Sequence, residues 1–193
     1  MIKVETPDGS TTVLLHACCA PCSSAIIEAM LANNITPVIY FFNPNIYPYE
    51  EYIKRKTEIE NYAHRLGLEI IDADYNYEAW REGTCGMENL PERSSRCQYC
   101  FKMRLLKTAK YASERGIKYF TTTLASSRWK DFNQIIEAGR YATSLVEGVE
   151  FWEQNWRKGG LYERRNQLLK IENFYNQQYC GCEYSAKRVI RIS

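Results

Sequence analysis

The sequence predicts a three-layer α/β protein, with a parallel sheet covered by helices on both faces. Two observations carry this. Short runs of β-branched and aromatic residues alternate with longer amphipathic segments, the order that builds βαβ units. Glycines stand where two of those segments should stop, at Gly67 and Gly116. No repeat, low-complexity stretch or linker interrupts the order. A single domain over residues 1–193 is the expectation.

The elements follow in sequence. Val13, Leu14 and Leu15 form a short apolar run, the first strand. Residues 23–31 read as a helix, with Ala25, Ile26, Ile27, Ala29, Met30 and Leu31 as its apolar face. Residues 38–42 suit a buried strand, broken by Asn43-Pro44-Asn45. Residues 50–66 are a charged amphipathic helix, and Ile70-Ile71 starts another strand. Residues 75–96 are irregular, with room for a short helix. Residues 97–115 are helical, and 119–123 form a strand. Asp131 is a helix cap for a segment running to about 146. A last strand at 149–152 and a helix at 161–175 lead into the C-terminal tail. In such sheets ligands bind where strands end and helices begin. The first cysteines sit at such a point.

Composition narrows the function. Hydrophobic residues make up 45% and charged residues 25%, ordinary for a globular chain. The net charge of +2 neither requires nor excludes a polyanion. The 15 tyrosines read first as core and surface residues, and second as a base-stacking platform. No stretch suits a membrane span or signal peptide, so no membrane partner and a cytoplasmic location are expected. Disulfides are unstable there, which favours metal or redox roles for clustered cysteines.

Seven of the eight cysteines fall into three groups: Cys18-Cys19 with Cys22, Cys97 with Cys100, and Cys180 with Cys182. Adjacent Cys18 and Cys19 can converge in a turn, though not in a strand. Cys97 and Cys100 open a helix, whose N-terminus favours thiolates. Alone they are half of a zinc site or a dithiol redox pair. With Cys18 and Cys19 they complete four thiolates, a set that suits tetrahedral zinc or a [4Fe–4S] cluster equally. A disulfide across Cys180-Gly181-Cys182 closes a small strained ring, which makes it labile. Cys22 is an extra ligand or a packed thiol, and Cys85 is incidental. His16 precedes the cysteines and can orient a ligand, deliver a proton or simply pack.

Two well-known patterns are absent. A radical S-adenosylmethionine motif needs a further cysteine where Ala25 stands. The turn after strand one has no glycine with which to cradle phosphate.

The segments LHACCAPCSS, FFNPNIYPYEEY, RCQYCFKMRL, FTTTL and YCGCEYS together resemble the epoxyqueuosine reductases of the QueH type, over about residues 14–185. The resemblance implies reduction of the epoxide of epoxyqueuosine, at the wobble base of a tRNA, to the alkene of queuosine. It implies a [4Fe–4S] cluster on Cys18, Cys19, Cys97 and Cys100, no cobalamin, and a redox-active pair at Cys180 and Cys182. It also implies a Rossmann-like fold of the ATP-pyrophosphatase type, with a helical segment from about 155 to 193 completing the active site. Two stretches depart from the family pattern: Ser126-Ser127-Arg128 lacks a following proline, and Asn155 stands where an acidic residue is common.

Epoxide reduction takes two electrons and two protons and releases water. A fully thiolate-ligated cluster offers no free position, so an additional mononuclear iron near Cys22 is considered. Asp131, Tyr184 and His16 are the candidate proton carriers. Phosphate contacts are expected from Arg128 and Lys130, Arg157 and Lys158, Arg164 and Arg165, and Lys187, Arg188 and Arg191, with Trp152 and Trp156 stacking on splayed bases. An electron donor is required as a partner. The rivals are a zinc-stapled RNA-binding domain and a thiol–disulfide oxidoreductase working through Cys97 and Cys100.

Overall fold

In the computed structural model the described residues are 2–190, with only the backbone considered for 187–190. Five strands form one all-parallel sheet: β1 (Thr12–His16), β2 (Thr36–Phe41), β3 (Ile70–Asp72), β4 (Tyr119–Thr122) and β5 (Glu150–Phe151). Their order across the sheet is β3-β2-β1-β4-β5. Leu15 of β1 pairs with Ile39 of β2 on one side and with Thr121 of β4 on the other.

The helices are α1 (Ala20–Ala32), α2 (Tyr49–Arg65), α3 (Tyr77–Gly83), α4 (Ser95–Glu114), α5 (Phe132–Leu145), α6 (Leu161–Ile171) and α7 (Glu183–Ile190). The chain steps one way from β1 to β3, then returns to lay β4 on the far side of β1. Right-handed crossovers then place α1 and α2 on one face and α4 and α5 on the other. The packing agrees: α4 lies along α5, and α1 lies against α6 and α2. Strand order reverses between β1 and β4. That switch point is where α/β sheets open a crevice for ligands.

The central strands are apolar on both faces, as a sheet covered twice requires. Val13, Leu14, Leu15, Ile39, Phe41 and Phe120 are fully buried. Helix α1 starts three residues earlier than its apolar pattern indicates. Pro21 sits in its first turn, where the missing N–H costs nothing. Cys22 therefore lies on the helix and not in the turn before it. Helix α6 stops short of residue 175. Asn173 takes a left-handed conformation (φ 52°), and the Phe174 N–H reaches back to Leu169 at 3.1 Å.

Candidate active site at the β1–β4 switch point

A buried polar layer fixes the cysteine turn from beneath. Asn43 donates to the Ala17 carbonyl at 2.9 Å, and Arg104 on α4 holds the Asn43 amide oxygen. His16 Nδ1 meets the Thr122 hydroxyl at 2.8 Å, and Nε2 meets the Phe42 carbonyl at 3.1 Å. The Cys18 N–H donates to Thr123 Oγ1 at 3.1 Å, and Ser23 Oγ closes onto the Cys19 carbonyl at 2.7 Å. Each of these polar side chains is buried and partnered, as a buried polar layer must be. The Asn-Pro-Asn break thus has a second use: it carries the amide that ties β2 to the turn.

The turn gathers three thiols. The sulfurs of Cys18, Cys19 and Cys22 all lie within 4.8 Å of one another, and Cys18 and Cys19 approach to 3.7 Å. Among the described residues this is the one cluster of three or more ligand-type side chains so closely spaced. Cys97 and Cys100 stand outside it, on the first turns of α4. A cleft of about 570 Å³ then unites the groups. Cys22, Cys97, Cys180 and Cys182 line it, so all three cysteine groups converge on one space. Cys100 is buried behind, packed with Trp80, Tyr184 and Cys182. Cys85 is exposed and apart from the cleft lining.

The C-terminal pair reaches the cleft because its loop is anchored. Arg55, 1% exposed, donates to the carbonyls of Tyr179 and Cys180 at 3.2 and 3.3 Å while bonding Glu51 at 2.7 Å. The Tyr47 N–H donates to the Gly181 carbonyl at 2.8 Å, and the Tyr179 hydroxyl donates to the Tyr47 carbonyl at 2.6 Å. Gly181 has φ +120°, and a Cβ there would meet Arg55 Nη1 at 3.0 Å and Ile46 Cγ1 at 3.2 Å. A side chain between the two cysteines would be strained, which favours glycine there. Cys180 and Cys182 are free thiols, and α7 follows them directly.

Electrostatics around the thiols are uneven. Hydrogen bonding from Cys19 and Cys22, aided by Lys130 and Thr123, holds Cys18 well below the ordinary thiol range despite burial. Burial raises Cys19 far above it, and the Cys18 thiol pushes Cys22 up to about 12. Burial also raises Cys97 and Cys100 and lifts Cys182 to about 12. Lys130 is desolvated, yet charge on Cys180, Cys18 and Cys22 outweighs that and raises it. Arg55 feels Cys19 and Cys18, and Arg104 lies against Cys100. Three cations therefore surround a set of soft thiol donors. That donor set fits a thiolate-ligated metal, whose binding displaces thiol protons and whose net negative charge needs partners in the interior. Gln134 Oε1 and Gln177 Oε1, on residues of the cleft wall, are shut off from solvent with no hydrogen-bond partner.

The other candidates divide. Asp131 lines the cleft and caps α5, its Oδ1 accepting from Asn133 and Gln134 at 2.8 and 3.2 Å. His16 lies beneath the turn, and burial lowers it to about 3, so its ring is neutral. Trp156 is 1% exposed, set edge-on to Trp152 at 5.2 Å, and its indole N–H bonds Thr121 at 3.2 Å. Trp152 is a core residue, and Trp156 borders the cleft but is almost wholly covered, so neither presents an open ring face for stacking on bases. Arg164 is committed to a bidentate pair with Glu28, both contacts 2.7 Å. Arg157 braces the Lys130 carbonyl at 2.8 Å and packs over Phe132. Arg128, Lys130 and Arg165 line the cleft, and Lys158 is exposed on the surface. The side chains of Lys187 and Arg188, and all of Arg191, lie outside the described residues.

Sequence reasoning passed over Arg55, Arg93, Arg104 and Trp129. No local pattern marks the buried arginines, because their partners come from distant segments. Trp129 had a signal, an aromatic set between Arg128 and Lys130.

Thiols from three chain segments, around a cleft at the switch point of a parallel sheet, define a metal-binding or redox α/β protein. The comparisons with known proteins are specific. A family model described as Epoxyqueuosine reductase QueH matches residues 13–188, and the chain belongs to that family. Proteins named Epoxyqueuosine reductase QueH from Histophilus somni and Haemophilus influenzae are each 48% identical over 185 residues, 96% of this chain and 76% of theirs. The Thermotoga maritima protein of that name is 35% identical over 178 residues, 90% of each chain.

Proposed function

We propose that this chain, as an epoxyqueuosine reductase, reduces the epoxide at the tRNA wobble base to an alkene at a thiolate-bound iron–sulfur centre. The observation that carries the reading is the convergence of all three cysteine groups on one cleft beside Lys130. Cys18, Cys19, Cys97 and Cys100 are the proposed ligands of a [4Fe–4S] cluster, and Cys22 is the proposed ligand of a further iron. When bound, such iron delivers single electrons and Lewis acidity toward the epoxide oxygen.

The chain's own residues do the rest. The cleft, with Gln134 and Gln177 among its lining residues, takes the modified base. Lys130 brings a positive charge to the place where oxygen leaves. Asp131 stands in the wall as a proton carrier, and neutral His16 positions the cysteine turn from below. Cys180 and Cys182 close the balance. Oxidation of two thiols to one disulfide releases two electrons and two protons, which convert an epoxide to an alkene and water. An electron donor then reopens the strained ring. The segment from 155 onward completes the site by bringing this pair to it. No helix among the described residues is long and apolar enough to cross a membrane.

The test is anaerobic incubation of metal-loaded protein with tRNA carrying epoxyqueuosine and a chemical reductant, followed by nucleoside mass analysis. The expected product has lost one oxygen. An unchanged nucleoside would overturn the reading.

A further inference from the structure

The cleft has an outer rim with its own construction. Trp129, 69% exposed, is the most exposed large apolar side chain among the described residues, and it lies on this rim. The Arg128 guanidinium lies 5.1 Å from the Trp129 ring and 5.1 Å from the Tyr162 ring, bracing both by cation–π contact.

The backbone beneath is clamped from two sides. Arg93 donates to the Trp129 carbonyl at 2.9 Å and to the Arg128 carbonyl at 3.4 Å. Arg157 holds the Lys130 carbonyl at 2.8 Å. Arg93 is itself fixed in a left-handed conformation, φ 64°, which a non-glycine residue adopts at a cost. Its N–H donates to the Cys97 sulfur at 3.3 Å, and its carbonyl accepts from Gln134 at 2.8 Å. One strained residue therefore ties the exposed tryptophan to the thiol site. Within the loop the division is sharp: Lys130 faces the thiols, while its neighbour Trp129 faces solvent.

We propose that Trp129 is a stacking platform for the nucleobase adjacent to the modified one, with Arg128 and Tyr162 supporting it. The proposal rests on the tRNA substrate of the preceding section. A base drawn into the cleft leaves the neighbouring base without its stacking partner. An aromatic face one residue from Lys130 replaces that partner. Charge favours the same occupant. Arg93, Arg128, Lys130 and Arg165 line the cleft against the acids Glu92 and Asp131, and Asp131 already accepts from two backbone amides. Sequence-tolerant stacking on an aromatic ring suits a flanking base.

The experiment is steady-state kinetics on an anticodon stem-loop RNA carrying epoxyqueuosine, comparing wild type, Trp129→Ala and Trp129→Phe. Base–aromatic stacking predicts that Trp129→Ala raises KM about five- to a hundred-fold with kcat unchanged. Trp129→Phe should restore most of the loss, which a spacing or folding role for the indole would not explain. An unchanged KM in Trp129→Ala, or a fall in kcat at constant KM, overturns the platform while leaving the reductase reading intact. A wild-type protein that reduces no epoxide overturns the reductase reading, and the platform with it.

Discussion

Removing Arg55 should undock the Cys180–Cys182 loop and lower the stability of the chain together. The guanidinium is 1% exposed and bonds Glu51, whose side chain is 10% exposed, at 2.7 Å. Truncation to alanine strands a nearly buried carboxylate. Breaking such a pair from one side costs about 3–5 kcal/mol. The Tyr175 hydroxyl, 3.0 Å from Glu51 Oε2, keeps one partner in place and sets the cost near the lower figure. The same truncation removes two bonds to the loop, at 3.3 and 3.2 Å. Hydrogen bonds from a charged donor contribute about 1.5–3 kcal/mol each, and these lengths sit at the weak end. Docking should therefore weaken by about 3 kcal/mol, a factor of roughly a hundred. Hydrogen exchange reads this directly, because the Tyr47 N–H is bonded to the Gly181 carbonyl. In Arg55→Ala that amide should exchange about a hundred-fold faster, and the denaturant midpoint should fall by the equivalent of about 3 kcal/mol. Unaltered exchange with stability within about 0.5 kcal/mol of wild type would refute the clamp.

Three further outcomes follow from the same geometry. Gly181→Ala puts a side chain at φ +120° against Arg55, a strain of about 1–3 kcal/mol; turnover should fall while metal content stays at the wild-type level, and equal turnover would contradict it. Asp131→Asn keeps an acceptor for the α5 amides whereas Asp131→Ala removes it. The alanine variant alone should lose about 0.5–2 kcal/mol of stability, and if Asp131 carries a proton both should lose turnover. Arg165→Ala should reduce the salt dependence of RNA binding by about one phosphate contact. Arg164→Ala, which breaks the Glu28 pair, should leave that slope unchanged, and the reverse pattern would misplace the RNA track.

Much of this was legible in the sequence because its signals are local. Strand and helix alternation, the Asp131 cap and the Gly67 and Gly116 stops each depend on a few neighbouring residues, and each has its counterpart in the structure. The start of α1 was misread because Pro21 suits both a turn and a first helical turn. Helix α6 was read too long because Leu169 and Phe174 continue an apolar pattern that Asn173 interrupts. The candidate site was legible as a set of cysteines but not as a constellation. Spacing grouped Cys22 with Cys18 and Cys19, and the fold keeps that trio together by winding Cys22 into α1, while Cys97 and Cys100, joined to Cys18 and Cys19 by the count of four thiolates, stand outside it on α4. Arg55 and Arg104 answer to Cys180 and Asn43, far along the chain, and long-range partners leave no trace in a local pattern. Trp156 looked like a base-stacking ring and is core, since only the fold decides which tryptophan faces water.

The central claim is that these thiols hold an iron–sulfur centre. Iron, acid-labile sulfide and zinc analysis, with an absorption spectrum, on protein purified without oxygen tests it most directly. The expected result is a brown protein with sulfide accompanying iron, and loss of both in Cys18→Ser and Cys97→Ser. Iron in excess of sulfide would mark the further site at Cys22. A colourless protein holding zinc alone would contradict the account and leave a zinc-stapled RNA-binding module in its place.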